Sequence, residues 1–159
     1  MTTAPLQLRR LRNILAGALI ALAWGSAGAD ELDDQVNKAC AGVSARFNSG
    51  STKHDPIDDE IGKAIDASAD LKNLITRAGF TGSAHACGVD TKAAEAHLDS
   101  VAAEAFPGSA AKAKRLVQIV HCSEARNVRE AASHWTSQQF CTQAQRNFDA
   151  YVTKNQPPP

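Results

Sequence analysis

The sequence predicts an all-α domain, a small disulfide-stabilised bundle of four or five helices. Three observations carry that prediction. Alanine is abundant and β-branched runs are nearly absent, a balance that favours helices over strands. Apolar side chains recur three and four residues apart through much of the chain, which is the spacing of one helical face. Four cysteines, Cys40, Cys87, Cys122 and Cys141, follow an N-terminal segment with the pattern of an export signal. An even number of cysteines in an exported chain reads as a disulfide framework.

The segment at residues 9–31 reads RRLRNILAGALIALAWGSAGADE. Arg9, Arg10 and Arg12 form a basic start, and Ile14 to Trp24 is a run of eleven uncharged residues. A bilayer-spanning helix needs roughly 20 apolar residues, so the run is too short to act as an anchor. Ala27-Gly28-Ala29 supplies small residues where signal peptidase reads them, which predicts a cleavable signal peptide over residues 1–29 with cleavage after Ala29. The neighbours of Arg9-Arg10 fit a twin-arginine signal poorly, so the general secretory route is expected, leading to the periplasm or the outside of the cell. Removing the leader leaves 14 basic against 17 acidic residues in 130. A chain with that negative balance has no electrostatic footprint for nucleic acid, and no stable membrane span remains after cleavage. Its length suits a single domain, residues 30–154, with 155–159 as a disordered proline-rich tail.

The first predicted helix runs from Glu31 to Phe47, with its stripe at Leu32, Val36, Ala39, Cys40, Val43 and Phe47. A polar loop follows over residues 48–53. Asp55 as cap, Pro56 at the first helical position and Asp58, Asp59 and Glu60 in the first turn start the second helix. Its stripe continues through Ile61, Ile65, Ser68, Leu71 and Ile75 to a stop at Gly79, and residues 80–88, with two further glycines, read as a connector. Asp90 or Thr91 caps the third helix, which Pro107-Gly108 ends. Ser109 caps the fourth, which runs to somewhere between His121 and Ser133, and the fifth spans Thr136 to Val152. Trp135 and Tyr151 suit either core or interface positions.

Four cysteines allow three pairings. If the third and fourth helices form a hairpin about Pro107-Gly108, Cys87 comes near Cys122 and Cys40 is left for Cys141. The pairing expected is therefore 40–141 with 87–122, and 122–141 ranks second. One feature works against this order. At 100° per residue Cys122 lies nearly opposite Leu116, Val117 and Val120, so the helix carrying it is either covered on two sides or broken near His121.

Few groupings carry chemistry. His85-Ala86-Cys87 and His121-Cys122 set imidazole beside thiol, but a metal site would need thiolates where disulfides form, and no Cys-x-x-Cys spacing occurs. No metal and no cofactor are expected. His54 to Glu60 is the densest polar cluster, and it reads as a solvated helix start without the ligand pattern of a calcium loop. A hydrolase-like site would have to use Ser83, His85 and Glu95 without a Gly-x-Ser-x-Gly turn. Lys112, Arg115, Arg126 and Arg129 fall within about 100° of one another on a continuous helix, forming a basic seam that is the candidate surface for a partner. The reading these residues support is an exported, non-enzymatic helical protein that binds a protein or envelope component. Periplasmic inhibitor, immunity and chaperone-like roles are forms of it, and hydrolase-like activity or metal carriage by the His-Cys pairs are the alternatives from other classes.

Overall fold

The computed structural model describes residues 29–134 and 136–155, all helix, turn or loop. Six helices follow in order: α1 Ala29–Ala39, α2 Pro56–Ala67, α3 Ala69–Ala86, α4 Lys92–Ala105, α5 Ala110–His134 and α6 Ser137–Asn155. The fold class is the expected one, with one helix more among the described residues than the upper expectation. The predicted leader falls almost wholly on residues 1–28 and the predicted tail on 155–159; residues 1–28, 156–159 and Trp135 lie outside the described residues, while Asn155, expected in the tail, is the last residue of α6.

The helix starts follow their capping signals. The Asp55 carboxylate accepts from the Ile57 amide at 2.9 Å, with Pro56 as the first residue of α2, and Ser109 Oγ accepts from the Lys112 amide at the start of α5. Gly108, with φ +78°, makes the turn between α4 and α5.

Three boundaries differ widely from the expected ones, each for a local reason. The first helix ends at Ala39 and not at Phe47, because Gly42 turns the chain in the left-handed region at φ +79°, and its carbonyl is taken by Arg115 Nη2 at 2.6 Å. The long second helix breaks at Ser68, whose extended backbone closes α2 while its hydroxyl accepts from the Leu71 amide to open α3. Gly79 does not stop α3, which continues through the expected connector to Ala86. Gly79 and Gly82 lie on one face, where a Cβ would stand 2.5 and 2.6 Å from side-chain atoms of Glu124. They serve close approach to α5, and the chain reversal falls instead at Gly88, with φ +76°.

α5 is continuous past His121 and is the hub of the bundle, packing against each of the other five helices. Leu116, Ile119 and Cys122 join Cys40, Val43, Ile61 and Ala102 in the largest core cluster. Val120 packs with Ala78 and Leu98, and Val128 with Leu32, Phe140 and Ala144. Tyr151 is a core residue, packed with Phe148, Ala84 and Ala94. Among the described residues no helix is long and apolar enough to cross a membrane.

The disulfides are Cys40–Cys122 and Cys87–Cys141, so the expected 40–141 and 87–122 pairing is overturned. A hairpin of α4 and α5 would bring Cys87 to Cys122 only if Cys87 extended α4. It is the C-terminal cap of α3 instead, on the far side of the Gly88 turn, and α3 packs against α6 as well as α5. Cys122 faces α1 because α5 is covered on two sides. One bridge thus ties α1 to the hub, the other ties α3 to α6, and both are the chemistry of an oxidising compartment.

Burial separates the two bridges. Cys40 and Cys122 are 5% and 0% exposed, whereas Cys87 and Cys141 are half-buried. Reduction of the native protein with dithiothreitol followed by alkylation is expected to label Cys87 and Cys141 first. Replacing Cys40 and Cys122 together by alanine is expected to lower the unfolding free energy by about 2–5 kcal/mol, measured by chemical denaturation. Labelling of Cys40 and Cys122 first, or an unchanged denaturation midpoint, contradicts the packing described.

Candidate functional site

The basic seam is one face of α5, but it is turned largely toward the protein's own acids and loops. Arg115 Nε donates to Asp58 Oδ1 at 2.6 Å and Nη2 to Asp58 Oδ2 at 3.0 Å. It also reaches Asp55 and, through Nη1, Gln118. Lys112 pairs with Glu60, Arg129 Nε donates to Asp33 at 2.6 Å, and Arg126 holds Asn48 and Ser49 in the loop after α1. These contacts clamp α1, the following loop and α2 onto the hub.

Asp58 corrects the expectation of a solvated helix start, since it is fully buried. Burial pushes its carboxyl up, but the Arg115 guanidinium and the Ser44 amide, which donates at 2.7 Å, outweigh that and hold it below the ordinary value. The ion pair therefore contributes stability above the ordinary carboxylate range and loses it as acid protonates Asp58.

Among the described residues no cation pairs with a second buried acid. Glu124, 6% exposed, stands on the apolar row Leu116, Val120, Glu124, Val128 of α5, opposite the glycine face of α3. Ser83 Oγ donates to Glu124 Oε2 at 2.8 Å, with the Gly79 carbonyl 3.3 Å from the same hydroxyl. Burial raises the Glu124 carboxyl to about 7, partly offset by the hydrogen bonds from Ser83 and Asn127. Glu124 also lines a cleft of about 430 Å3 between α1, α3 and α5, together with Gln35, Gly82, His85, Ala86, His121, Ala125 and Val128. That volume suits a small ligand or one side chain of a larger one.

The other sequence candidates settle around this cleft. Ser83 and His85 stand two residues apart on α3, and their side chains bond different partners. His85 Nδ1 lies 3.2 Å from Thr91 Oγ1 and 3.5 Å from Glu95 Oε1, and Thr91 donates to Glu95 at 2.5 Å. The trio of Ser83, His85 and Glu95 is thus divided, with Ser83 committed to Glu124 and His85 to the Thr91-Glu95 pair. The His-Cys pairs offer no thiolate, because all four cysteines are bridged. Among the described residues no group of three His, Cys, Asp or Glu side chains converges in a way that could hold a metal ion. The sequence analysis does not single out Glu124, although an acid in the apolar four-residue row Leu116, Val120, Glu124, Val128 is a readable signal.

No protein-family model matches the sequence, and neither a curated protein nor a solved structure matches it.

The raised Glu124 value has a definite sign for stability. Between its ordinary value of 4.5 and about 7 the native state keeps a proton that the unfolded chain releases, so stability falls as pH rises through that window. Glu124→Gln is expected to be more stable than the parent at pH 8 by up to about 3 kcal/mol, with the gap closing below about pH 4.5. Urea denaturation of both proteins at pH 8, 6 and 4 checks this, and equal stability at pH 8 contradicts it.

Proposed function

We propose that this chain is an exported, non-enzymatic binding protein of the periplasm or the extracellular space, and that it engages a protein or envelope component through the Glu124 cleft. The observation that carries the reading is Glu124 itself. A buried carboxyl that no cation of the described residues pairs with works against stability, and a group in that state lining an open cleft is a functional-site candidate. The two disulfides support the location, and the leader pattern in residues 1–29 supports the general secretory route to it. The division of Ser83 from His85 supports binding over hydrolysis. Inhibitor, immunity and chaperone-like roles are all forms of this reading. The seam moves from partner surface to internal clamp in this account, since each of its four cations already holds a neighbouring segment.

The test is expression with the native leader in a Gram-negative host. The recovered protein is expected to begin at Asp30 with no alkylatable thiol. Immobilised in that oxidised form, it is expected to retain an envelope component saturably, and to lose that retention on reduction and alkylation or on filling the cleft by Ala125→Leu at the partly buried Ala125 of its wall. Neither the parent nor His85→Ala is expected to turn over ester or peptide substrates. An intact leader with four reactive thiols overturns the export reading. Turnover that disappears in His85→Ala overturns the non-enzymatic one, and retention unaffected by Ala125→Leu removes the cleft from it.

A further inference from the structure

We propose that the cleft between α1, α3 and α5 takes an organic cation, a primary ammonium or guanidinium group on an aliphatic stem, with its charged head on the Glu124 carboxylate. The inference rests on the binding-protein reading above and names the chemistry its site recognises. The geometry selects this class by elimination and by fit. An anion is disfavoured by Glu124, the most deeply buried acid of the cleft lining, which no cation of the described residues pairs with to offset an added negative charge. A metal ion is disfavoured because His85, His121 and Glu124 line the same cleft yet form no converging set of ligands.

What remains matches an alkyl cation part by part. The Glu124 carboxylate spends one oxygen on Ser83, and each carboxylate oxygen has two acceptor positions, so acceptor capacity for a cationic donor remains. Charge-assisted bonds of that kind are the strong ones. Ala86, Ala125 and Val128 give the apolar wall for the stem, and Gln35, His85 and His121 give a polar rim. The carboxyl raised to about 7 fits a site whose charge is completed by its ligand. A bound cation favours the ionised form, so binding near neutral pH displaces the proton that Glu124 otherwise holds. Free alkylamines and the lysine or arginine side chain of a polypeptide present the same group, and the probes separate them.

The oxidised protein at pH 8 is titrated with n-butylammonium, with n-butylguanidinium and with uncharged n-butanol, followed by the amide NMR signals of Gly79, Gly82, Ser83 and Ala125. A parallel titration uses an N-acetylated, C-amidated Gly-Lys-Gly peptide and its norleucine counterpart. Saturable shifts with the two cations, absent with butanol and weakened at least tenfold in Glu124→Gln, are the expected result. Tighter binding of the lysine peptide than of butylammonium assigns the site to a polypeptide side chain, and the reverse order assigns it to a free amine. Because Glu124→Gln is expected to be the more stable protein, its failure to bind is not a failure to fold. Equal binding by Glu124→Gln, equal shifts with butanol, or no saturable shift with either cation overturns the proposal. Retention of an envelope component that butylammonium does not compete away overturns it too, while leaving the binding-protein reading in place.

Discussion

Everything in this bundle depends on burying α5 around most of its circumference. Leu116, Ile119, Val120, Cys122, Glu124 and Val128 are all buried, and at 100° per residue they occupy about two thirds of the turn. A helix with one apolar stripe needs one neighbour, whereas this one needs several. The other five helices are arranged by that demand, with α1 and α2 on the Cys122 side, α3 and α4 on the Val120 side, and α6 toward the C-terminal half. In a chain with few large side chains, much of the contact is made by alanine and glycine. Backbones must then approach closely, and covalent bridges supplement a core of modest apolar area.

The two buried acids show how differently the same hub treats charge. Asp58 is fully buried, but it receives two guanidinium nitrogens and a backbone amide. Its burial fastens the start of α2 to α5 and the turn after α1, and removing Arg115 alone would strand a charge in the core. Glu124 is nearly as buried yet receives neutral donors only. One acid is completed by the fold. The other is left for something outside it, which is why the functional reading settles on the α3 face of the hub and not on the basic seam.

Much of the fold was legible in the sequence, and its failures are specific. Cap residues such as Asp55 and Ser109 act over three residues, so local pattern placed the starts of α2 and α5. The break at Ser68 was hidden because its residue fits the apolar stripe spacing on either side, and only its extended backbone reveals two helices. Gly79 was read as a terminator because glycine ends helices more often than it thins them, and the close partner that explains it lies about 45 positions away at Glu124. The disulfide pairing failed for the same reason, since which helix owns Cys87 depends on a reversal one residue later at Gly88. At the candidate site, the spacing of Ser83 and His85 suggests one grouping where the fold makes two. Recognising that Ser83 belongs to Glu124 requires knowing that α3 lies on α5, a long-range fact no local spacing contains.

The central claim is that α5 is the enclosed hub to which the other helices are fastened. Native-state amide hydrogen exchange of the oxidised protein tests it most directly. The account predicts that the α5 amides from Leu116 to Val128 exchange only through global unfolding and are the slowest in the chain, with those of α4 opening earlier. Exchange of the same α5 amides by local opening, at rates no slower than those of α4, would contradict it.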